Sequence, residues 1–384
     1  MRTEEFFAMK KMIVAACLAL AACQGQTTDS DDTYLTAENL MPGKWMDYWN
    51  DGGGLSPENQ AVSTTIEAYL RLHSFNGVAL VAARDAVLLL EAHGMADVGN
   101  GIPLGVDSKF QIASLTKPFT AIAILQLAEA GELSLDQPIS DFLPGVLNGE
   151  AITLHHLLTH SSGLFAGDSL ADYSYVATPD QLIADAFTDF SLQFWQPGSS
   201  AIYSNLGYHL LGVVIEQVSG LSFGEYLNRH ILGIASMGDS GINAEGKSLE
   251  RLAVAYEGLA ADNVLAPVFH PSTGFAAGGM HSTAVDLFRF SQAIDQNLLL
   301  SPKSTDLLFT SYYNLGRTYY GYGWFVGLRG MPRTFAHTGV LAGWRGFFLG
   351  HRDNLVTVIL LSNEDTPDLL DIGATISQLV LALP

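Results

Sequence analysis

Cysteine and positive charge are what this chain has least of. Its 384 residues include two cysteines, Cys17 and Cys23, both near the N-terminus. Everything after Cys23 must therefore hold together by its core, with neither a disulfide nor a cysteine-ligated metal. Lys and Arg number 18 against 39 Asp and Glu, a formal net charge of −21. Nucleic-acid binding needs clustered cations against phosphates, and these few are spread over the whole chain. A membrane-spanning helix is missing too. The N-terminal apolar run is too short, and the C-terminal "DLLDIGATISQLVLAL" is interrupted by Asp371, Ser377 and Gln378, as suits a helix packed on a sheet. Apolar residues are plentiful at 48%, against 15% charged, so a large core is expected and disorder is not.

From Met9 to Cys23, "MKKMIVAACLALAAC" has a basic head at Lys10 and Lys11, an apolar centre and small residues before a cysteine. That is a secretory signal. Its ending, Leu20-Ala21-Ala22-Cys23, resembles the lipobox of bacterial lipoproteins. The resemblance implies cleavage before Cys23, acylation of that residue, and an exported protein anchored to a membrane on its periplasmic side. An ordinary signal peptide cleaved nearby is the alternative. Gln24, not being aspartate, is compatible with an outer-membrane destination in a Gram-negative cell. Glu4 and Glu5 are unusual in a signal head and point to Met9 as an alternative start. Residues 24–57, opening on the acidic "QGQTTDSDDT", read as a flexible tether, and 58–384 as the folded domain.

Within that domain, "NQAVSTTIEAYLRLH" has helical spacing, and "GVALVAA" with "AVLLLEAHG" reads as a hairpin turning at Arg84-Asp85. A long helix over "FTAIAILQLAEAGEL" is closed by Gly131. Residues 135–300 carry mainly helical patterns, including "TLHHLLTHSSGL", "PDQLIADAF" and "YHLLGVVIEQVSG". Strands return late, in "YGYGWFVGL", "TFAHTG", "WRGFFLGHR" and "NLVTVILLSN". The fold class expected is α/β in the α+β sense: one antiparallel sheet flanked by helices, built from distant segments, with a mostly helical subdomain inserted. Catalytic groups are expected where the two parts meet.

In "FQIASLTKPFTA", Lys117 follows Ser114 by three residues and Pro118 follows Lys117. Positions i and i+3 share a helix face, which brings hydroxyl and amine within reach. The ring of Pro118 clashes with the carbonyl four residues back, that of Ser114, so Ser114 is expected at the extreme start of the helix. Free backbone N–H groups and the positive dipole end there favour a developing oxyanion. A serine cap beside an exposed lysine would give the same short pattern. Two further segments add weight: "AIYSNLGYHLLG" sets Tyr203 and Asn205 just before a helix, and "FAHTGVLAGWRGFF" sets His337, Thr338 and Gly339 at a strand end.

In that order, S-x-x-K, Y-x-N and H-T-G resemble the serine β-lactamase and penicillin-binding-protein superfamily, nearest its class C β-lactamases, D-alanyl-D-alanine carboxypeptidases and related esterases. "LLTHSSGL" and "GFAAGGMHSTAVDLFRFS" support the likeness, which covers roughly residues 60–384. The resemblance implies Ser114 as nucleophile and acyl carrier, with Lys117 and Tyr203 sharing the proton work. It implies Asn205 orienting Lys117 and the substrate amide, backbone N–H groups of Ser114 and Val340 as the oxyanion hole, and His337, Thr338 and Gly339 lining the far wall. A lysine at its reference pKa of ~10.4 is neutral in about one molecule in 2500 at pH 7. Either the site favours the neutral amine or Tyr203 acts as a phenolate held by Lys117. His337 departs from the Lys-Thr-Gly usual in true β-lactamases, and a histidine is mostly neutral at pH 7, so a substrate carboxylate is held weakly.

The expected substrate is therefore a small ester or D-amino-acid peptide, with no cofactor or metal and a monomeric enzyme. A true class C-type β-lactamase and an idle penicillin-recognising binding protein are the rivals; the intact Ser114, Lys117, Tyr203 and Asn205 set argues against the second. "GLSFG" fits the G-x-S-x-G elbow of α/β-hydrolases, but the segment before Ser222 is helical where a strand is required. His156 and His160 stand i, i+4 beside His155 as a zinc pair would, yet without the glutamate of H-E-x-x-H, so packing is the better reading. The aromatic "SYYNLGRTYYGYGWFVG" suits strands, and "FTDFSLQFWQPG" is the expected source of apolar pocket surface.

Overall fold

Ser56 caps the first helix, its side chain accepting from the Asn59 N–H, and Pro57 occupies the first turn, where no N–H is missed. This helix, α1 (Pro57–Leu72), buries Ile66, Tyr69 and Leu70. The computed structural model describes residues 55–83, 86–165, 176–188, 193–316, 318–328, 331, 333–353 and 355–382. The secretory segment, both cysteines and residues 24–54 of the expected tether lie outside the described residues, and the helix takes in Pro57, the last residue assigned to that tether.

After α1 come β1 (Gly77–Ala83) and β2 (Ala86–His93), paired antiparallel from Gly77 opposite His93 to Ala83 opposite Ala86. The expected hairpin is present. Six strands from the far end of the chain complete the sheet: β3 (Tyr313–Asn314), β4 (Tyr319–Tyr320), β5 (Phe325–Val326), β6 (Thr334–Leu341), β7 (Trp344–His351) and β8 (Val356–Ser362). Their order is β3-β4-β5-β6-β7-β8-β1-β2, antiparallel throughout. The N-terminal hairpin thus closes against the last strand, as a sheet of distant segments requires.

Both faces of this sheet are covered, which explains why β1 and β8 read as unbroken apolar runs. Side chains alternate across a strand. On one face Ala79, Val81, Phe347, Val358 and Leu360 pack with α1 and the C-terminal helix α6 (Leu369–Leu381). On the other, Val78, Leu80, Phe348, Ile359 and Leu361 join a larger core. That core also holds α2 (Lys117–Glu129), α3 (Asn205–Ser219), α4 (Pro271–Gly278) and α5 (Ala284–Asp295). Phe119 of α2 stacks on Phe290 of α5 at 3.9 Å between centroids, tying the site helix to one that lies against the sheet.

One expected strand is two. "YGYGWFVGL" divides into β4 and β5 because the chain turns between them, where Gly323 has φ +78°. A Cβ at Gly323 would sit 2.8 Å from the Pro118 Cα, so only glycine lets this turn rest on the start of α2.

Candidate active site

Ser114 lies in a 3-10 turn, Ala113–Thr116, and the α-helix proper starts at Lys117. The Lys117 N–H donates to the Ser114 carbonyl across three residues. That contact serves the carbonyl which an α-helical register would have set against the ring of Pro118. The expected position at the helix start is thus met one turn earlier, in tighter geometry. Ala113 enters the turn at φ +49°, a conformation costly for any residue with a Cβ and common at functional sites. It is held from several sides. Thr116 Oγ1 donates to Ala113 O at 2.7 Å and accepts from the Met280 N–H at 3.2 Å, while the Ile112 N–H reaches Met280 O at 3.0 Å. A Cβ on Gly339 would fall 2.2 Å from Ile112 O, so the backbone of β6 runs directly against this turn.

Lys117 is fully buried. Its Nζ stands 3.0 Å from Ser114 Oγ, 2.8 Å from Asn205 Oδ1 and 2.8 Å from Ala277 O. Asn205 and Ala277 offer oxygens that can only accept. A neutral amine has two N–H donors and one lone pair, and these two acceptors take both donors, leaving the lone pair for Ser114. An ammonium uses its third N–H on the same hydroxyl. Both protonation states fit one geometry.

Asn205 opens α3, and Ser204 before it is extended at φ −140°, its N–H donating to His160 Nδ1 at 3.1 Å. Ala277 lies near the end of α4, beside Ala276, whose carbonyl takes the Thr120 hydroxyl at 2.7 Å. The Tyr203 ring centroid is 4.8 Å from Lys117 Nζ and that of Tyr208 is 5.5 Å away. Tyr203 in turn lies against His160 at 4.3 Å and parallel to Phe325 at 6.3 Å.

Sequence motifs thus converge: Ser114, Lys117, Tyr203 and Asn205 meet in one place. His337 is close by but faces inward. It is 1% exposed, its Nε2 is 3.1 Å from Tyr320 OH and its Nδ1 2.7 Å from Thr338 O. Burial, then Lys117, pushes it down to about 3, so it is a neutral ring with both nitrogens engaged. A pocket-lining role fits Thr338, half-buried, and Val340, 58% exposed, better than His337. Beyond Ala336 no β5 residue pairs with β6, so the stretch from His337 to Val340 is a free edge on that side.

The decoys have other employment. Ser222 is an N-cap, bonded reciprocally with Glu225, and Gly220 before it ends α3 at φ +68°. His156 and His160 do not share a helix face, because that helix stops at Leu158 and His160 has φ +58°. His156 Nδ1 accepts from the Thr153 N–H, and His155 Nδ1 is 2.8 Å from Tyr322 OH. Among the described residues no three metal-ligating side chains converge. Trp195 of "FTDFSLQFWQPG" sits 6.3 Å from the Phe165 ring, but residues 189–192 lie outside the described residues. Sequence reasoning missed Ala277 as a partner of Lys117, and no side-chain pattern announces a carbonyl. It also left Tyr320 and Phe325 as strand residues, though they wall Tyr203 and His337.

Residues 62–382 match the Beta-lactamase family. The chain is 31% identical over 325 residues to Penicillin-binding protein 4* of Bacillus subtilis (strain 168), spanning 79% of this chain and 71% of that protein. It is 31% identical over 342 residues to Esterase EstB of Burkholderia gladioli, spanning 74% and 85% respectively. Among solved structures, the penicillin binding protein from Bacillus halodurans superposes with a TM-score of 0.73 at 28% identity, covering 82% of this chain and 98% of that one. The chain belongs to the Beta-lactamase family, within the serine hydrolases that include penicillin-binding proteins and esterases.

A histidine kept neutral by folding makes stability depend on pH. His337 titrates near 6.5 when unfolded and about 3 when folded, so its contribution is complete above 6.5 and is lost as pH falls towards 3. Between pH 7 and pH 5, urea unfolding of the wild type should lose about 2 kcal/mol more than His337→Gln loses. Equal losses would show that His337 carries a proton in the folded protein.

Proposed function

We infer that the protein is a serine hydrolase that acylates Ser114 and cleaves an ester or a D-amino-acid amide bond. The observation that carries this reading is Lys117, fully buried and set 3.0 Å from the Ser114 hydroxyl with two pure acceptors behind it. Ser114 Oγ attacks the substrate carbonyl carbon as its proton passes to Lys117 Nζ. The tetrahedral oxyanion is met by backbone N–H groups of Ser114 and Val340, a role supported by the free edge of β6 lying against the Ser114 turn. Collapse expels the alcohol or amine, which takes a proton relayed through Tyr203. Water then cleaves the acyl-Ser114 ester by the reverse traffic, freeing the acid and restoring Ser114.

His337 selects among substrates. A neutral ring with both nitrogens engaged supplies no cation to a substrate carboxylate. Esters and amides lacking that carboxylate are the better fit, and β-lactams the poorer. In a panel of short-chain aryl esters, D-Ala-D-Ala peptides and a chromogenic cephalosporin, ester turnover should lead. Ser114→Ala should abolish both turnover and labelling by a fluorophosphonate. Labelling that persists in Ser114→Ala would remove the assignment, and brisk cephalosporin turnover would reverse the substrate order.

The same reading makes the enzyme a monomer without cofactor, exported and held to the periplasmic face of a membrane by lipid on Cys23. It rests on the lipobox-like ending at Cys23 and the acidic tether behind it. Expressed in a bacterial host, the full chain should incorporate labelled palmitate and sediment with membranes. Cys23→Ala should do neither, and a soluble, unlabelled wild type would contradict the anchor.

A further inference from the structure

A second cavity, of about 580 Å³, lies outside the Ser114 site, among α3, the start of α4 and residues 222–244. Its size falls in the range of small-ligand pockets. Phe223, Phe275 and Ile242 give it apolar walls, and its polar lining includes Glu216, Glu225 and His281 but, among the described residues, no lysine or arginine. Glu225 already has Arg229 acting on it and is bonded to Ser222. Glu216 is in a different position. Its Oε1 accepts the Phe223 N–H at 2.8 Å, and the charge acting on it is another anion, Asp180. Burial and Asp180 push its carboxyl upward, against the Phe223 N–H, which holds it down.

His281 supplies an independent sign. The ring is 7% exposed and its Nδ1 is buried with no hydrogen-bond partner. Burial, then Lys109, holds it neutral, down to about 4. A buried unpartnered nitrogen in a cavity wall is costly unless something occupies the cavity.

The wall is joined to the reacting groups. Phe275 has φ 35° and ψ −128°, far outside helical values and strained for a bulky residue. The next two residues present the carbonyls that hold Thr120 Oγ1 and Lys117 Nζ. The far side of Phe275 stacks on His209 of α3, the helix that begins with Asn205. Whatever packs against Phe275 therefore bears on the contacts of Lys117 with Ala277 and Asn205.

We propose that this cavity binds a small apolar amine, its ammonium paired with Glu216 and its body against the wall of Phe223, Phe275 and Ile242, and that occupancy alters hydrolysis through the Phe275–Ala277 segment. Aromatic walls suit a cation as well as its hydrocarbon. The binding half goes beyond the hydrolase reading, and the rate half rests on it.

Benzylamine, protonated at pH 7.5, is the probe, with benzyl alcohol as its neutral counterpart. Calorimetry on the full-length Ser114→Ala protein reads binding without turnover. Benzylamine should bind at least tenfold more tightly than the alcohol, and Glu216→Gln in that background should remove the difference. Thermal melts confirm folding, and Glu225→Gln, which keeps its capping bond, should bind within about threefold of its parent. In otherwise wild-type protein, saturating benzylamine should change kcat for an aryl ester at least threefold, and Glu216→Gln should erase that response while holding basal kcat within about twofold. No heat at millimolar probe, or equal binding by Glu216→Gln, overturns the site. Binding with kcat unchanged overturns the coupling. Absence of ester turnover in wild type would instead count against the hydrolase reading and leave the calorimetric result to decide the site alone.

Discussion

A lysine with no exposed surface organises this molecule. Its amine takes polar contacts from three segments far apart in the chain: the turn at Ser114, the first residue of α3 at Asn205, and the end of α4 at Ala277. A buried amine is tolerated only when hydrogen-bonded, so each segment must be held accurately enough to present its oxygen. Much of the helical part can be read as serving that end. Thr120 ties α2 to α4, Met280 ties the strand after α4 to the Ser114 turn, and His160 receives the N–H just before Asn205.

The imidazoles around Lys117 are kept uncharged. Burial and the lysine itself hold His160 well below its usual range and His209 down to about 3, as with His337. Three imidazoles and the rings of Tyr203, Tyr208 and Tyr320 thus enclose the amine without adding a second cation. Polarity without charge suits the proposed role of taking a proton and returning it, because these imidazoles need not change their own charge in step. Strain collects at the same place. Ala113 and Phe275, both at positive φ, lie at the start of the Ser114 turn and two residues before the carbonyl that faces Lys117. Such conformations persist only where packing over-determines them.

Much of this was legible in the residues. The β1–β2 hairpin, the late strands and the C-terminal helix follow from apolar runs bounded by turn residues, and the meeting of Ser114, Lys117, Tyr203 and Asn205 from short motifs in order. Pro118 even indicates where the helix can start. Other features had no local signal. "YGYGWFVGL" reads as one strand because its aromatics have strand propensity, and only the contact of Gly323 with Pro118 forces the turn. His337 reads as a pocket residue from its place in H-T-G. Its inward orientation depends on Tyr320, seventeen positions earlier, and on which side of β6 faces the core. The carbonyls of Ala276 and Ala277 belong to residues whose side chains say nothing of hydrogen bonding.

The proposed function makes Lys117 the centre of the chemistry, and the rate at which Ser114 is acylated measures it most directly. Stopped-flow fluorophosphonate labelling at pH 7.5, with the adduct mapped to Ser114, should be at least about 100-fold slower in a folded Lys117→Met variant than in wild type. A variant that labels Ser114 within a few-fold of the wild-type rate would contradict the account.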